Sequence, residues 1–400
     1  MIRLRSVDSS EPGAVRRALE GALDGLEPLA LGFPPGEADR VPEGTAVVIA
    51  TSGSTGVPKR VVLSADALRA SAAATAARIG AGNWLLALPA GYVAGLQVLV
   101  RSILAGTDPV VLGGRFDAGA FADAALGMPD GRVRLTSLVP AQLATLVDAA
   151  EKEDRIRAAL AGFDAILVGG QALPAPLRDR ATALGARVVR TYGSSETSGG
   201  CVYDGVPLDG VAVRAVEGEL WIGGPTLSAG YLGDPAQTAD RFVPDDAGAL
   251  WYRTGDLGTV DEAAAGAGTV RVLGRADNVI VSGGVNVSLD RVERAVRGVR
   301  GFENAVVLGG DDERWGQSPV VVVARADVSG GPVGGSASEP VGEASGDPVP
   351  DVDGLLARVR AAAAAEVGAP ARPSRVVLVD VLPLLASAKP DREALRRLLR

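Results

Sequence analysis

AVVIATSGSTGVPKRVVLS, residues 46–64, is the stretch on which the reading of the fold turns. Two β-branched apolar runs flank a loop of hydroxyls and glycines that closes on Lys59. Glycine lets the backbone come close to a ligand and turn its N–H groups toward an anion. Hydroxyls add donors, and a lysine adds a compact positive charge. The stretch is therefore predicted to be a phosphate-holding loop between two strands. It is not a Walker A loop, because its order differs and a strand pattern follows where that motif requires a helix. The plain alternative is a polar turn.

Outward from this loop, apolar runs alternate with helical patterns as far as about residue 275. Strands are predicted at 46–50, 60–63, 84–88, 109–112, 133–138, 164–168 and 186–190. SADALRASAAATAARIG reads as a helix capped by Ser64 and stopped at Gly80. PAPLRDRATALG reads as another, running from Pro174 to Gly185. The alternation predicts an α/β fold with a mainly parallel sheet, followed beyond residue 200 by a β-rich subdomain (GELWIGG, GTVRVLG). Residues 1–276 are read as one domain and 277–400 as a second, smaller α+β domain. Within the second, residues 326–352 are rich in glycine, proline, serine and acidic residues and read as a disordered insertion.

Composition narrows the chemistry. The chain has 400 residues, 47% of them hydrophobic and 22% charged, with a formal charge of −8. The negative balance argues against nucleic acid as the main partner. No apolar run reaches membrane-spanning length and MIRLRSVDSS lacks the apolar core of a signal peptide, so a cytoplasmic protein without a membrane partner is expected. Cys201 is the single cysteine, which excludes an intrachain disulfide, and it reads as a small core residue. There is no histidine, so Ser-His-Asp and Cys-His catalysis and histidine metal sites are excluded.

Four further stretches join the loop in order: YGSSETSGG (192–200), YRTGDLG (252–258), GRADNVIVSGGVNVSLDRVE (274–293) and LPLLASAKPDR (382–392). Together with TSGSTGVPK they resemble the core motifs of the adenylate-forming superfamily, which includes acyl-CoA synthetases, peptide-synthetase adenylation domains and luciferases. The resemblance runs from about residue 46 to the end. It implies a large N-terminal adenylation domain and a small mobile C-terminal domain, with ATP, Mg²⁺ and a carboxylic acid as reactants and coenzyme A as thiol. On this resemblance Thr51, Ser52, Gly53, Ser54, Thr55, Gly56 and Lys59 would grip the β- and γ-phosphates. Tyr192, with Gly193, Ser194 and Ser195, would flank the adenine, opposite Gly169, Gly170 and Gln171. Glu196 would hold Mg²⁺, and Asp256 would accept from the ribose hydroxyls. Arg275 would help fix the ribose, Asp277 would be the hinge, and Gly283 and Gly284 would line the thiol tunnel. Lys389 would bridge the carboxylate and the α-phosphate during adenylation. Each has an ordinary alternative: packed core for Tyr192, capping or surface carboxylates for Glu196 and Asp256, a hairpin turn for Gly283-Gly284, a solvated lysine for Lys389.

Within the superfamily, WLLALPAGYVAGLQVLVRSILAGT (84–107) and SLVPAQLATLV look like the o-succinylbenzoate–CoA ligases of menaquinone biosynthesis, in their actinobacterial form. Tyr92, Gly95 and Arg101 would then line the acyl pocket. A dicarboxylate substrate suits Arg101, because the helix around it is apolar and a buried arginine needs an anion; the alternative is a surface arginine. Three departures from the pattern stand out. Gly91-Tyr92 replaces the usual pocket histidine, and Ser387-Ala388-Lys389 replaces Asn-Gly-Lys. If that glycine has φ > 0, alanine costs about 1 kcal/mol there. Only about fifty residues precede the phosphate loop, far fewer than in most of the superfamily, so the first subdomain is expected to be abbreviated. Two other readings stay open: a ligase for another aryl or small carboxylic acid, or for a carrier-protein thiol; and a nucleotide-binding homologue that has lost catalysis. A homodimer also stays open.

Overall fold

The computed structural model describes residues 1–51, 58–261, 268–328, 351–385 and 389–399. Ser52, Gly53, Ser54, Thr55, Gly56 and Ala388, and with them much of the phosphate-loop reading, lie outside the described residues. The described chain divides into two compact units, residues 1–173 with 180–272 and residues 273–400 with 174–179.

The first unit is built on three sheets. The largest runs, in spatial order, Val206–Pro207, Gly199–Tyr203, Val188–Ser194, Ala165–Val168, Val133–Leu138, Gly82–Leu86 and Val110–Val111. The last five of these are mutually parallel and the first two antiparallel. Ala165–Val168 is buried on both faces, as helix-covered parallel strands are. The strands flanking the phosphate loop do not join this sheet. Thr45–Thr51 and Lys59–Ser64 pair antiparallel in a second sheet with Arg5–Ser6 and Leu29–Leu31. The reason is connection length: a short loop can only turn a strand back beside itself, whereas a parallel neighbour needs a crossover. The register places Thr51 opposite Lys59, so the lysine stands at the hairpin mouth. The third sheet is the expected β-rich part: Ala212–Val216, Glu219–Gly223, Leu250–Asp261 and Phe242–Pro244 in order, with Thr269–Arg275 also pairing with Leu250–Asp261.

Local chemistry sets the helix ends. Ala65–Ile79 begins where the Ser64 hydroxyl accepts from the Ala67 amide at 3.1 Å and ends at Gly80, whose φ is 87°. A cap of this kind contributes about 1 kcal/mol. The helix predicted from Pro174 forms over Ala175–Ala183. Trp84, Leu96, Leu99, Leu135 and Tyr203 belong to one core that runs through this unit.

In the second unit Val285–Ser288, Val279–Ser282, Gly316–Ala324 and Val306–Asp312 form an antiparallel sheet, and Arg375–Val379 adds parallel to Gly316–Ala324. Helices Leu289–Arg297 and Val352–Glu366 cover it, with Val292, Val296, Phe302, Val321 and Val359 at the core. Both ends of the stretch read as a disordered insertion, 326–352, are ordered. Residues 326–328 belong to the helical turn Arg325–Val328, and Asp351 caps a helix that starts at Val352, its side chain accepting from Gly354 at 3.0 Å. Residues 329–350 lie outside the described residues.

Candidate active site

The YGSSETSGG motif folds as a tight return. Val188–Ser194 leaves the parallel sheet, Ser195–Thr197 makes a single 3₁₀ turn, and Gly199–Tyr203 runs back antiparallel with a bulge at Tyr192/Gly193. The two arms are so close that a Cβ on Gly193 would lie 2.2 Å from the Gly199 carbonyl oxygen. The Ser194 amide donates to Thr197 Oγ1 at 2.9 Å, and Ser198 takes the left-handed conformation at φ 54°. This turn points Glu196 inward, where it is 8% exposed.

Glu196 Oε1 accepts from the Tyr231 hydroxyl at 2.9 Å. No Lys or Arg among the described residues forms an ion pair with it. Tyr231 also lies under Lys59, whose Nζ is 5.5 Å from the ring centroid, because Val61 on the Lys59 strand bridges to Tyr231. Phe242 packs edge-on against Tyr231 at 5.9 Å and stacks on Tyr252 at 5.1 Å. Burial first, and Glu196 second, push the Tyr231 hydroxyl far above its ordinary value. It therefore stays neutral and keeps donating. Sequence reasoning missed Tyr231, because TLSAGYLGD carries no periodicity and the two partners that place it in the site, Glu196 and Lys59, are distant in sequence. The only local signal is the Gly230 before it, at φ 110°, which frees the Tyr231 amide to donate to Thr238 Oγ1 at 2.9 Å.

Two of the residues expected at the nucleotide meet where the first and third sheets approach. The Tyr192 hydroxyl donates to Asp256 Oδ2 at 2.7 Å, and burial followed by the Asp256 charge raises its pKa strongly. Asp256 sits within Leu250–Asp261, its amide donating to Thr254 Oγ1 at 2.9 Å. Gly169, Gly170 and Gln171 follow the C-terminal end of Ala165–Val168, the end at which open parallel sheets bind ligands. A Cβ on Gly169 would come within 2.2 Å of Thr191 Oγ1, next to Tyr192. Ser194 Oγ is buried without a partner. Tyr252 links the two groups: after burial, its hydroxyl is raised by Glu196, Tyr231 and Asp256 together.

The helix expected to line the acyl pocket forms over Val93–Leu104, with Tyr92 as its N-terminal flank, half-buried. Gly95 has a backbone reason, since a Cβ there would meet the Pro89 carbonyl oxygen at 2.2 Å. Arg101 is 7% exposed, so the surface alternative is overturned. Its guanidinium lies 5.1 Å from the Trp84 ring, and Nη2 reaches the Tyr203 hydroxyl at a long 3.4 Å. Its Nε has no partner, and no carboxylate among the described residues pairs with it. Burial lowers its pKa, with Tyr203 opposing. One turn earlier Gln97 donates to the Ser198 carbonyl at 2.8 Å and leaves its own Oε1 unpaired. Ser198 stands two residues from Glu196, so the Arg101 helix meets this motif through Gln97. Cys201 is fully buried, its thiol pushed up to about 12 by burial, which makes it core.

In the second unit Arg275 Nε pairs with Asp277 Oδ1 at 3.1 Å across the turn between two strands. Gly283 and Gly284, at φ 57° and 80°, form the two-residue hairpin turn between Val279–Ser282 and Val285–Ser288. A Cβ on Gly283 would strike the Trp315 ring. Lys389 is exposed, and its carbonyl accepts from the Leu385 amide at 2.8 Å beside the Leu384–Pro390 bridge. No group of three or more His, Cys, Asp or Glu able to hold a metal ion occurs among the described residues. No helix among them is long and apolar enough to cross a membrane.

Comparison with known proteins gives this geometry a context. The family model described as AMP-binding enzyme matches residues 15–232, and that of the AMP-binding enzyme C-terminal domain matches residues 291–389. The chain is 40% identical over 394 residues to the probable 2-succinylbenzoate–CoA ligase of Mycobacterium tuberculosis, covering 95% of this chain and 94% of that protein. It is 32% identical over 306 residues to the 2-succinylbenzoate–CoA ligase of a Geobacillus species, covering 70% of this chain and 58% of that one. In fold it is similar to the o-succinylbenzoate CoA synthetase of Bacillus subtilis solved with its acyl-adenylate intermediate. The TM-score is 0.69 at 23% identity, over 98% of this chain and 78% of that one.

Proposed function

The chain belongs to the AMP-binding enzyme family, and on that premise we propose that it joins 2-succinylbenzoate to coenzyme A at the expense of ATP. One observation carries the choice of acid: Arg101, one helical turn from Gln97, is a buried cation that no carboxylate among the described residues answers. A second carboxylate on the substrate supplies that anion.

The residues present fit the expected Mg²⁺. Glu196 is a single inward carboxylate whose side-chain partner among the described residues is a neutral hydroxyl, and Mg²⁺ is commonly held by one or two carboxylates together with substrate phosphates. When bound, the ion neutralises charge on the phosphate oxygens. The chain does the rest by position. Lys59, at the hairpin mouth, adds positive charge to the polyphosphate. Tyr192 and Asp256 orient the nucleoside. The substrate carboxylate is already ionised at neutral pH, so its oxygen attacks the α-phosphorus without a histidine base and pyrophosphate departs. Lys389 stabilises that step. The thiolate of coenzyme A then attacks the acyl carbonyl carbon, the acyl–phosphate bond breaks, and AMP leaves. Asp277 serves as hinge between the two half-reactions, and Gly283-Gly284 serve the thiol step. The cytoplasm, with its ATP and coenzyme A, is the compartment such an activity requires.

The test is acid-dependent ATP–pyrophosphate exchange with Mg²⁺, comparing 2-succinylbenzoate, benzoate and short fatty acids. Exchange with 2-succinylbenzoate alone is expected. Exchange only with a monocarboxylate would keep the chemistry and discard the acid. ATP binding without exchange for any acid would favour a homologue that has lost catalysis.

A further inference from the structure

One short segment of the first unit touches both charged groups expected at the phosphates, Glu196 and Lys59. Residues 228–232 run along the Lys59 strand. The Ala229 amide donates to the Val62 carbonyl at 2.9 Å, Val62 to the Gly230 carbonyl at 2.9 Å, and Leu232 to the Arg60 carbonyl at 2.8 Å. At the start of the segment the Ser228 amide donates to the Glu196 carbonyl at 2.8 Å. The backbone of Glu196 is therefore tied to the strand that carries Lys59. Buried Tyr231 repeats the tie with its side chain: the hydroxyl donates to Glu196 Oε1 at 2.9 Å, and Lys59 Nζ stands 5.5 Å from the ring centroid. Phe242 packs on the ring, and Thr238 Oγ1 holds the Tyr231 amide at 2.9 Å.

We propose that Tyr231 is the positioning residue for both charges: its hydroxyl aims Glu196 and its ring face holds Lys59. This rests on the Mg²⁺ role of Glu196 and the phosphate role of Lys59 proposed above. A neutral hydroxyl takes one lone pair of the carboxylate and adds no charge, so the carboxylate keeps its charge for a cation. The face of an aromatic ring attracts an ammonium without carrying a net negative charge, so the lysine keeps its charge for an anion. A direct Lys59–Glu196 pair would satisfy both charges and leave neither for a ligand. Neither residue forms an ion pair among the described residues, and the tyrosine is the one side chain that touches both.

The test is titration calorimetry of ATP on the full chain, with and without Mg²⁺. Tyr231→Phe keeps the ring by Lys59 and removes the donor to Glu196. The gain in ATP affinity that Mg²⁺ brings is expected to shrink about tenfold, while affinity without Mg²⁺ stays within about twofold of wild type. A merely structural role would lower both alike. Tyr231→Leu removes the ring as well and should weaken Mg²⁺-free binding about threefold or more. Tyr231→Phe combined with Glu196→Gln should bind no more weakly than Glu196→Gln alone; this pair decides if Tyr231→Leu does not fold. An undiminished Mg²⁺ gain in Tyr231→Phe, equal loss with and without Mg²⁺, additive loss in the double variant, or unchanged Mg²⁺-free binding in Tyr231→Leu would overturn the proposal. Failure of the reading beneath it looks different. If Glu196→Gln leaves the Mg²⁺ gain intact, the metal role of Glu196 fails and takes the proposal with it. A loss in Glu196→Gln with none in Tyr231→Phe removes the proposal alone. ATP binding needs no acid, so the outcome is independent of which acid the chain activates.

Discussion

Two glutamates, one in each unit, are buried to nearly the same degree, 8% exposed for Glu196 and 7% for Glu293, and keep opposite company. Glu293 is closed by two arginines and a backbone amide. Glu196 has a tyrosine hydroxyl and, among the described residues, no ion pair. A buried charge with a full set of partners is scaffold, because its desolvation is already offset in the folded chain. A buried charge met only by a neutral donor keeps its field for something that binds. Arg101 is the mirror image of Glu196, a cation given an aromatic ring and a long contact to a hydroxyl. The unit with open charges is the unit that carries the nucleotide motifs.

The sharpest way to break this contrast is to remove both glutamates in turn. Glu293→Ala strands two arginines and should cost about 3–5 kcal/mol in urea unfolding, the usual penalty for opening a buried pair. Glu196→Gln keeps an acceptor for Tyr231 and should change stability by less than about 1 kcal/mol. Equal costs would erase the distinction. The same Glu196→Gln should instead weaken ATP binding in the presence of Mg²⁺ by roughly 10- to 100-fold, a loss of about 1.5–3 kcal/mol. Titration calorimetry with and without Mg²⁺ reads it, and an unchanged ratio would take Glu196 out of the metal's reach.

Arg101→Met extends the test to the open cation. It should raise KM for a dicarboxylate about tenfold and leave a monocarboxylate analogue nearly unchanged. Thermal stability should hold or rise, since a well-packed apolar residue often replaces a buried charge without loss. A fall in stability with unchanged KM would make Arg101 scaffold after all.

How much of this contrast could be read in the sequence depends on the reach of each interaction. Ser64 and Gly80 bracket their helix through contacts three and four residues long, and those ends were legible. Tyr192, Glu196 and Asp256 were picked out by motif; the structure bonds Tyr192 to Asp256 and sets both Asp256 and Glu196 near Tyr252. Tyr231 was not legible, because its contacts with Lys59 and Glu196 are long-range and its own segment has no pattern. Nor was the Glu293–Arg392 pair, which joins residues 99 apart. The strands at 46–50 and 60–63 were recognised as strands, but the sheet they enter was not legible, since strand propensity carries no record of it. The close approach of Gly95 to Pro89 was not legible either, since only coordinates show such an approach.

The neutral donors of the first unit can be tested through pH. Burial holds the Tyr192 and Tyr231 hydroxyls above their ordinary range, so both are protonated in the folded chain where an unfolded tyrosine, with a pKa of about 10, begins to ionise. Their contribution is complete below about pH 10 and is lost as pH rises toward the folded values. The slope is at most about 1.4 kcal/mol per pH unit for each tyrosine. Tyr192→Phe should remove its share of the alkaline slope in denaturation followed against pH. An unchanged slope would mean that Tyr192 ionises as freely in the folded chain as in the unfolded one. With no histidine in the chain, no comparable imidazole-driven slope is expected between about pH 6 and 8.

The smallest effect sets the scale for the rest. Arg180 lies 2.7 Å from Asp148 and 2.8 Å from Glu151, distances as short as those around Glu293, but its side chain is 37% exposed. Water screens the attraction and the side chains give up entropy to hold the geometry, so Arg180→Ala should cost no more than about 1 kcal/mol. At about 1 M salt, where the Debye length is roughly 3 Å, the difference should shrink further. If Arg180→Ala instead costs as much as Glu293→Ala, then ion-pair distance rather than burial controls the energy, and the contrast between Glu196 and Glu293 would have to be rebuilt on the number of partners alone.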